Sequence, residues 1–429
     1  MKNKFKINIL NILKFFFYIF PLAILIPSGY LTAYVSILTI IALIYFYKSN
    51  KKIKFFFPDY LVFCLFGLSS LSSLININEI GYFLFFKSIL DIRFAILFLI
   101  IRNVINYRLV NIKYLLATTL FSTTFLCFDI FSQHYFGYDI FGYKPFDGRY
   151  NGSFADEAIA GSYIQKFSLL SILMIFYFPI NKIVKNILLC LLINLLGLGI
   201  FLSLDRMPVI VYLFSLILAV IFLKNYRYLF LINIIFLLIT FFYIFNSYSV
   251  VKNRYISLKF EYERIKNSQI IKSDNNKEAQ PEGITKYLGY YDLYKSSYYV
   301  WKENNWIIGS GIKSFSINCR KINSSDLDLY CSTHPHNIYL EILTNTGILG
   351  LIIFVTILIT LSKEHINNFI KQHYIINTLL FLLLISETIP IRSFGSIFQT
   401  VNGSIFWFLL SLISIKKFYI SEDIIVDKE

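Results

Sequence analysis

Repeated apolar runs limit the possible folds of this chain more than any other feature of its sequence. Many of them reach about 18 residues or more, the length at which an α-helix crosses the hydrocarbon core of a bilayer. Backbone groups inside a bilayer must be satisfied within the chain, which such segments achieve as helices. With 57% hydrophobic residues, the chain is predicted to be an all-α integral membrane protein.

The runs predict about twelve transmembrane spans. Basic residues fill every second gap between them, as at 48–54, 102–113 and 182–185. Cytoplasmic gaps are the ones enriched in Lys and Arg, so both termini are expected in the cytoplasm. The predicted spans lie at 9–27, 30–47, 59–76, 82–101, 112–133, 162–180, 186–203, 207–223, 229–245, 338–361, 374–389 and 404–415.

The sequence divides into three parts on the same grounds. Residues 1–245 contain spans one to nine, 246–337 form one large outer segment, and 338–429 contain the last three spans. The net charge of +15 raises the question of nucleic-acid binding. The lysines lie in the short gaps between apolar runs, however, and we find no soluble basic domain. We therefore expect membrane lipids, and no nucleic acid, as partners.

Basic residues on the outer side are not explained by orientation. Arg149 lies in the loop at 134–161, Arg206 in a very short turn, and Arg392 near the last outer turn. Arg93 lies inside the fourth run beside Asp91. Residues two apart do not face each other on a helix, so we expect each of these two to have another partner. Guanidinium groups bind phosphate oxygens in a planar fork, and several outer arginines therefore suit a diphosphate ligand.

The stretch His334, Pro335, His336 lies where the outer segment enters a long apolar helix. Histidine titrates nearest neutrality, so this position suits a proton-transfer role. A polar surface role is the alternative, and spacing alone does not choose between the two histidines. The amino end of the following helix could also receive a phosphate. Polar residues then recur along one face of that helix, at Asn337, Glu341 and Asn345.

Cys319 and Cys331 lie twelve residues apart in the outer segment. On an oxidising side of the membrane they are expected to form a disulfide. Cys331 with His334 and His336 could alternatively ligate a metal, a reading that the disulfide displaces.

Two further patterns in the outer segment are weaker. Asp326 and Asp328 form a DxD, which many glycosyltransferases use to hold a metal, but a solvated turn is the simpler interpretation here. Residues 285–301 carry apolar and aromatic side chains at helical spacing. That helix is expected either to lie on the membrane surface or to pack onto the outer helix ends.

These motifs together resemble the O-antigen ligase and O-antigen polymerase family of bacterial envelope enzymes. The family pattern of His, a small polar residue, nine residues, Gly, two residues and a small residue is present as His336, Asn337, Gly347 and Gly350. Three further segments resemble the family: the GxG segment at 305–315, the outer loop at 148–163 and the Leu204-Asp205-Arg206 turn.

The resemblance implies a GT-C-like fold and the roles of several residues. His336 would be the general base and Arg206 would hold the departing diphosphate. By position, Arg93, Arg149 and Arg392 are added as phosphate or glycan contacts, with His334 and Asn337 beside the base. Family ligases often carry a second loop arginine before the GxG segment, where this chain has none. Lys295 is the expected substitute, with Lys286 and Arg264 as further candidates.

The resemblance further implies a multi-pass protein of the bacterial inner membrane with a periplasmic active site. The expected reaction moves a glycan from a polyprenyl-diphosphate carrier to lipid A–core, with inversion and without a metal or cofactor. The alternatives are a polymerase of the same family, whose acceptor is another glycan, and a lipid-linked glycan transporter.

Overall fold

The computed structural model describes residues 2–26, 28–256, 290–323, 329–369, 374–393 and 395–415. These ranges are helical and contain no β-strand, only one isolated bridge between Phe146 and Arg149. A further helical stretch covers 249–256. In chain order the helices are α1 (Lys2–Tyr18), α2 (Phe20–Ala23), α3 (Ser28–Ser49), α4 (Phe57–Ile75), α5 (Ile77–Ile80), α6 (Tyr82–Leu90), α7 (Ile92–Asn106), α8 (Ile112–Phe136), α9 (Ala160–Phe176), α10 (Lys182–Leu202), α11 (Arg206–Phe222), α12 (Arg227–Ser247), α13 (Tyr290–Glu303), α14 (Ser314–Asn323), α15 (Ile338–Phe369), α16 (Tyr374–Thr388) and α17 (Thr400–Ile413).

The all-helical class is confirmed, and the helices suit a multi-pass membrane protein. Within the described residues, six helices are long and apolar enough to cross a bilayer, and α9, α11, α16 and α17 are shorter apolar helices. Each predicted span overlaps a helix, but α6 and α7 divide the fourth span at Asp91. The total of about twelve spans and the three-part division remain predictions.

The bundle is organised around α9 and α17. Almost every residue of α9 is buried, and this helix packs against α8, α10, α11 and α16. In α17 the whole stretch 403–413 is buried. Peripheral α12, by contrast, exposes large apolar side chains such as Phe242, which is 71% exposed. A short helix can therefore be accommodated at the centre, because neighbouring helices rather than lipid surround it.

Helix α15 is broken at Gly347, where φ is 65° and ψ is −167°. Residues 306–311 fill the break and form four backbone hydrogen bonds of 3.0–3.2 Å with residues 344–349. We call this pairing the interlock. Its bonds run from N–H to carbonyl as Ile348 to Trp306, Leu349 to Ile307, Ser310 to Thr344 and Gly311 to Asn345.

Glycine is required on both sides of the interlock because the two backbones touch. A Cβ atom on Gly309 would overlap the backbone of Asn345, and one on Gly347 would overlap the backbone of Ile307. On its other side, the segment is fixed to α4 by the Ile312 N–H, which donates to the Ser73 hydroxyl at 3.1 Å. The GxG segment and Gly347 of the histidine pattern thus pack directly against each other, one on each side of the interlock.

The described part of the outer segment forms a small core of its own. Helix α13 packs on α14 and α15, so of the two placements expected for the aromatic helix, packing onto the bundle occurs. Its aromatic Tyr298 nevertheless remains 48% exposed. The small core consists of Leu293, Val300, Phe315, Cys319 and Leu329. The Asp326–Asp328 motif, Lys286 and Arg264 lie outside the described residues.

Arg102 belongs to a buried ion pair at the end of the bundle opposite the interlock. The sequence accounts for this arginine only as one of the basic residues that set membrane orientation. Its Nη2 atom lies 2.8 Å from Asp59 Oδ2, with side chains 3% and 0% exposed. The same carboxylate accepts a 2.7 Å hydrogen bond from the Phe56 N–H. Asn103 exchanges hydrogen bonds of 2.9 and 3.0 Å with the backbone of Lys54. These contacts fix the 50–56 connection to the end of α7.

Candidate functional site

Arg149 is held over Asp205 by a tight turn. Asp147 and Gly148 both have left-handed backbones, with φ of 50° and 65°. The backbone groups of Phe146 and Arg149 exchange hydrogen bonds of 3.1 and 3.0 Å across them. The Arg149 Nη1 atom then donates to Asp205 Oδ1 at 2.9 Å, while its buried Nε atom has no hydrogen-bond acceptor. This guanidinium therefore retains a donor after pairing.

Asp205 lies in the turn between α10 and α11, immediately before Arg206. Leu204 enters the turn with a left-handed backbone, φ 62°. The Asp205 carboxylate also accepts a hydrogen bond from the Gly161 N–H at the start of α9. Burial raises the pKa of Asp205 to about 6, against the opposing effect of Arg149. The buried carboxylate thus orders the cations around it.

Arg254 is a third arginine at this position, and no sequence motif marks it. Its electrostatic neighbours include Arg149, Arg206 and Asp205. Burial lowers its pKa, and the two neighbouring arginines lower it further. The adjacent Tyr255 anchors the segment, because its ring stacks on that of Phe201 with centroids 5.1 Å apart. The only sequence signal is a basic residue just past the outer end of the ninth span.

We call Arg149, Arg206 and Arg254 the arginine cluster. Asp205 and Asp147 are the carboxylates that face it. Three guanidinium groups against two carboxylates leave a net positive charge, in a position at the helix ends. Such an arrangement suits a ligand with several phosphate oxygens.

His336 occupies a strained and partly buried position. Its backbone is left-handed, with φ 53°, although it is neither glycine nor asparagine. Its ring lies beside that of His334, with centroids 3.9 Å apart. The Ser332 hydroxyl lies 3.4 Å from His336 Nε2. Burial lowers the pKa of His336, which favours the neutral imidazole that can accept a proton.

Asn337 caps α15. Its Oδ1 atom accepts hydrogen bonds from the N–H groups of Tyr339 and Leu340 at 3.0 and 3.2 Å. Its Nδ2 atom donates to the carbonyl of Pro390. Two of the N–H groups that were candidates for binding a phosphate are therefore occupied by the cap. Asn337 fixes the helix start immediately after His336.

Glu341 and Asn345 are buried in the bundle, with residue exposures of 4% and 2%. The Glu341 Oε2 atom accepts a 3.1 Å hydrogen bond from the Ile397 N–H. Glu341 thus contacts the loop that precedes α17.

Arg392 is buried and bonded to protein groups. Its Nη1 atom donates to the Ser386 carbonyl at 2.7 Å and to Glu387 Oε1 at 2.8 Å. Its Nη2 atom donates to Gln165 Oε1 at 2.7 Å. These contacts favour a structural bridge between α9 and the end of α16 over the expected phosphate contact.

A chain of contacts connects the histidine with the arginine cluster. Asn337 donates a hydrogen bond to Pro390, and Arg392, two residues after Pro390, donates one to Gln165 in α9. At the start of α9, the Gly161 N–H donates a hydrogen bond to Asp205. His336 and the arginine cluster therefore lie at the same end of the bundle.

Arg93 does approach Asp91, and the expectation that the two would not face each other was wrong. Its Nη2 atom lies 3.7 Å from Asp91 Oδ1 and 3.3 Å from the Thr400 hydroxyl. The expectation assumed a continuous helix, whereas α6 ends and α7 begins at Asp91. Arg93 thus faces α17 rather than the arginine cluster.

Lys295 lies on α13 with its Nζ atom 5.9 Å from the centre of the Tyr299 ring. Cys319 and Cys331 are joined by a disulfide. Cys331 is thereby unavailable as a metal ligand. Among the described residues, no group of three or more His, Cys, Asp or Glu side chains is arranged to hold a metal ion.

The central part of the chain is similar to a known protein family. A family model described as O-antigen ligase matches residues 189–355. This stretch includes Arg206, Arg254 and His336, as well as both halves of the interlock. No curated protein matches the chain.

Proposed function

The chain belongs to the O-antigen ligase and polymerase family, and from this premise we propose that it is a ligase that transfers a lipid-linked glycan to lipid A–core. Members of this family are glycosyltransferase-like ligases and polymerases, which supports an enzyme of that class. The observation that carries the proposal further is the arginine cluster around Asp205, at the same end of the bundle as His336.

In the proposed reaction the donor is a glycan on polyprenyl diphosphate. The acceptor hydroxyl attacks the anomeric carbon, and His336 takes the hydroxyl proton. The bond between the anomeric carbon and the diphosphate oxygen breaks with inversion, and the electron pair leaves with the polyprenyl diphosphate. Arg149, Arg206 and Arg254 stabilise the charge that develops on this leaving group, a task that preorganised cations perform without a metal.

We infer that Arg254 fills the place of the second loop arginine. Its guanidinium can donate two parallel hydrogen bonds to a phosphate, which the Lys295 ammonium cannot. It also lies close enough to Arg206 for their charges to interact. Arg149 completes the cluster. In this proposal His334 orients or shields His336, and Asn337 acts through its cap rather than by touching the donor.

The proposed setting is the bacterial inner membrane, with both termini in the cytoplasm and the arginine cluster facing the periplasm. The basic gaps at 48–54, 102–113 and 182–185 support this orientation.

The test uses His336→Ala. The matched control is His334→Ala, which removes the histidine on the other side of Pro335. Purified protein would be given polyprenyl-diphosphate-linked glycan and lipid A–core, and the product would be followed by gel and mass spectrometry. We expect His336→Ala to lose transfer by about 100-fold or more, the usual contribution of a general base. His334→Ala removes only a neighbour of the base and should reduce transfer far less.

Near-normal transfer by folded His336→Ala would remove His336 as the base. The same assay separates ligase from polymerase through its product. Glycan joined to lipid A–core supports the ligase proposal. Elongation of the lipid-linked glycan, with none on lipid A–core, would assign the polymerase reaction instead.

A further inference from the structure

A second group of cations lies on α6, on α7 and two residues beyond the interlock segment. Lys87 and Lys313 are close enough to interact directly, and Arg93 is a further electrostatic neighbour of Lys87. Lys313 follows Gly311 with a left-handed backbone, φ 57°. A strained non-glycine residue of this kind is retained only where surrounding structure imposes it. Its backbone, just past the interlock, therefore sets where the Lys313 side chain starts.

Asp91 lies among these cations, 3.7 Å from Arg93, but forms no hydrogen bond with them. It is 1% exposed, and neither of its carboxylate oxygens has a hydrogen-bond partner. Its electrostatic neighbours are Arg93, Lys87 and Lys313. Glu341 also lies near, but it accepts the Ile397 N–H. Three cations against two carboxylates leave a net positive charge, and the two lysines repel each other unless an anion lies between them.

The outer surface beside these cations is apolar. Phe83 and Leu90 flank Lys87 at four and three residues' distance on α6, and they are 80% and 66% exposed. Phe86 is 60% exposed on the same helix. In a membrane protein such a surface faces acyl chains. An anion bound at Lys87 would thus have hydrocarbon beside it, as the headgroup of a lipid does.

We propose that Lys87, Arg93 and Lys313 bind the phosphate group of a second phosphorylated lipid, the acceptor, while the arginine cluster binds the donor diphosphate. The two groups of cations have different neighbours: Asp91 and Glu341 for the first, Asp205 and Asp147 for the second. Assignment of this lipid as the acceptor rests on the proposed function. A transferase that joins two phosphorylated lipids needs two such sites.

The test counts lipids bound to the full chain, without turnover. Protein in phosphatidylcholine nanodiscs would be titrated with dioleoyl phosphatidic acid, a phosphomonoester lipid, and examined by native mass spectrometry. We expect two specifically bound phosphatidic acid molecules on the wild-type chain. The double variant Lys87→Gln/Lys313→Gln should bind one, with affinity for the other lowered at least about tenfold by the lost charge-assisted contacts.

The matched control is Lys302→Gln/Lys321→Gln, which removes the same charge from α13 and α14 and should still bind two lipids. Arg206→Gln/Arg254→Gln should lose the other lipid. Two lipids on Lys87→Gln/Lys313→Gln would overturn the proposal. Displacement of the lipid by stoichiometric inorganic phosphate would show a soluble-anion site and also overturn it. Because no glycan is transferred, failure here is distinct from failure of the His336→Ala test.

Discussion

Four residues that are neither Gly nor Asn adopt left-handed backbones beside the proposed chemistry. Asp147 faces the arginine cluster, and Leu204 precedes Asp205 and Arg206. Lys313 lies two residues after the interlock segment, and His336 precedes the α15 cap. Each such conformation costs about 1–3 kcal/mol and persists only where the surroundings fix it. The strain therefore indicates that the positions of the two cation groups and of the histidine are set by the backbone.

The acid limb of the pH profile tests the state of His336. Burial lowers its pKa from the ordinary value of 6.5, so the neutral base persists to lower pH than for an exposed histidine. Transfer should rise with pH through this lowered pKa and be level above it. We expect the acid limb of kcat/KM below pH 6.5, measured by product formation at saturating lipid A–core. A limb above that pH would contradict neutral His336 as the base.

Arg254→Lys tests the bidentate grip on the donor. Lysine keeps the charge but loses the fork, and a charge-assisted hydrogen bond contributes about 1.5–3 kcal/mol. We expect kcat/KM for the donor to fall roughly ten- to hundredfold. Arg320→Lys, on the exposed surface of α14, is the matched control and should be unchanged. Equal rates in both variants would remove Arg254 from the donor site.

At the residue scale, a sequence identifies a functional side chain when that side chain belongs to a motif. His336 and Arg206 were predicted because each lies in a short pattern with fixed spacing. Arg254 lies outside any pattern, and its position depends on the stacking of Tyr255 on Phe201, a contact between distant parts of the chain. The approach of Arg93 to Asp91 was missed because helical spacing assumes an unbroken helix.

The interlock is the element that joins residues 306–311 to α15, just before Lys313. Gly309→Ala would force a Cβ atom into the backbone of α15 at a residue with φ 75°. We expect a loss of at least about 1–3 kcal/mol, typical of overpacking, and a lower thermal denaturation midpoint in detergent. Gly67→Ala, at a helical site with open space, is the control and should not be less stable. An unchanged midpoint for Gly309→Ala would mean that the two backbones do not touch.

At the element scale, hydropathy locates helices but not their breaks. The stretches around Asp91 and Gly347 are each apolar enough overall to predict one continuous span. The break at Gly347 is stabilised by residues 306–311, which lie more than thirty positions earlier in the chain. Only the family spacing of the glycines pointed to this position, and it gave no geometry.

At the scale of the whole molecule, the buried Arg102–Asp59 pair joins the end of α7 to the start of α4. Arg102→Ala would leave a buried carboxylate without its partner, which costs about 3–5 kcal/mol. We expect a marked loss of thermal stability, whereas Lys182→Ala at an exposed helix start should have little effect. The double variant Arg102→Met/Asp59→Asn should recover part of the loss, because it buries no unpaired charge. Wild-type stability of Arg102→Ala would show that the pair is dispensable.

The interlock also constrains how the protein is made. Residues 306–311 leave the ribosome before α15, so they wait outside the membrane until the helix that receives them has been inserted. Until they dock, backbone groups around Gly347 lack the partners that a bilayer cannot supply. Completion of the last spans and closure of the outer segment are therefore one event in biogenesis. A chain that stopped before α15 would lack the interlock and leave this segment to its contacts with α4 and with the residue that follows α4, such as the bond from Ile312 to Ser73.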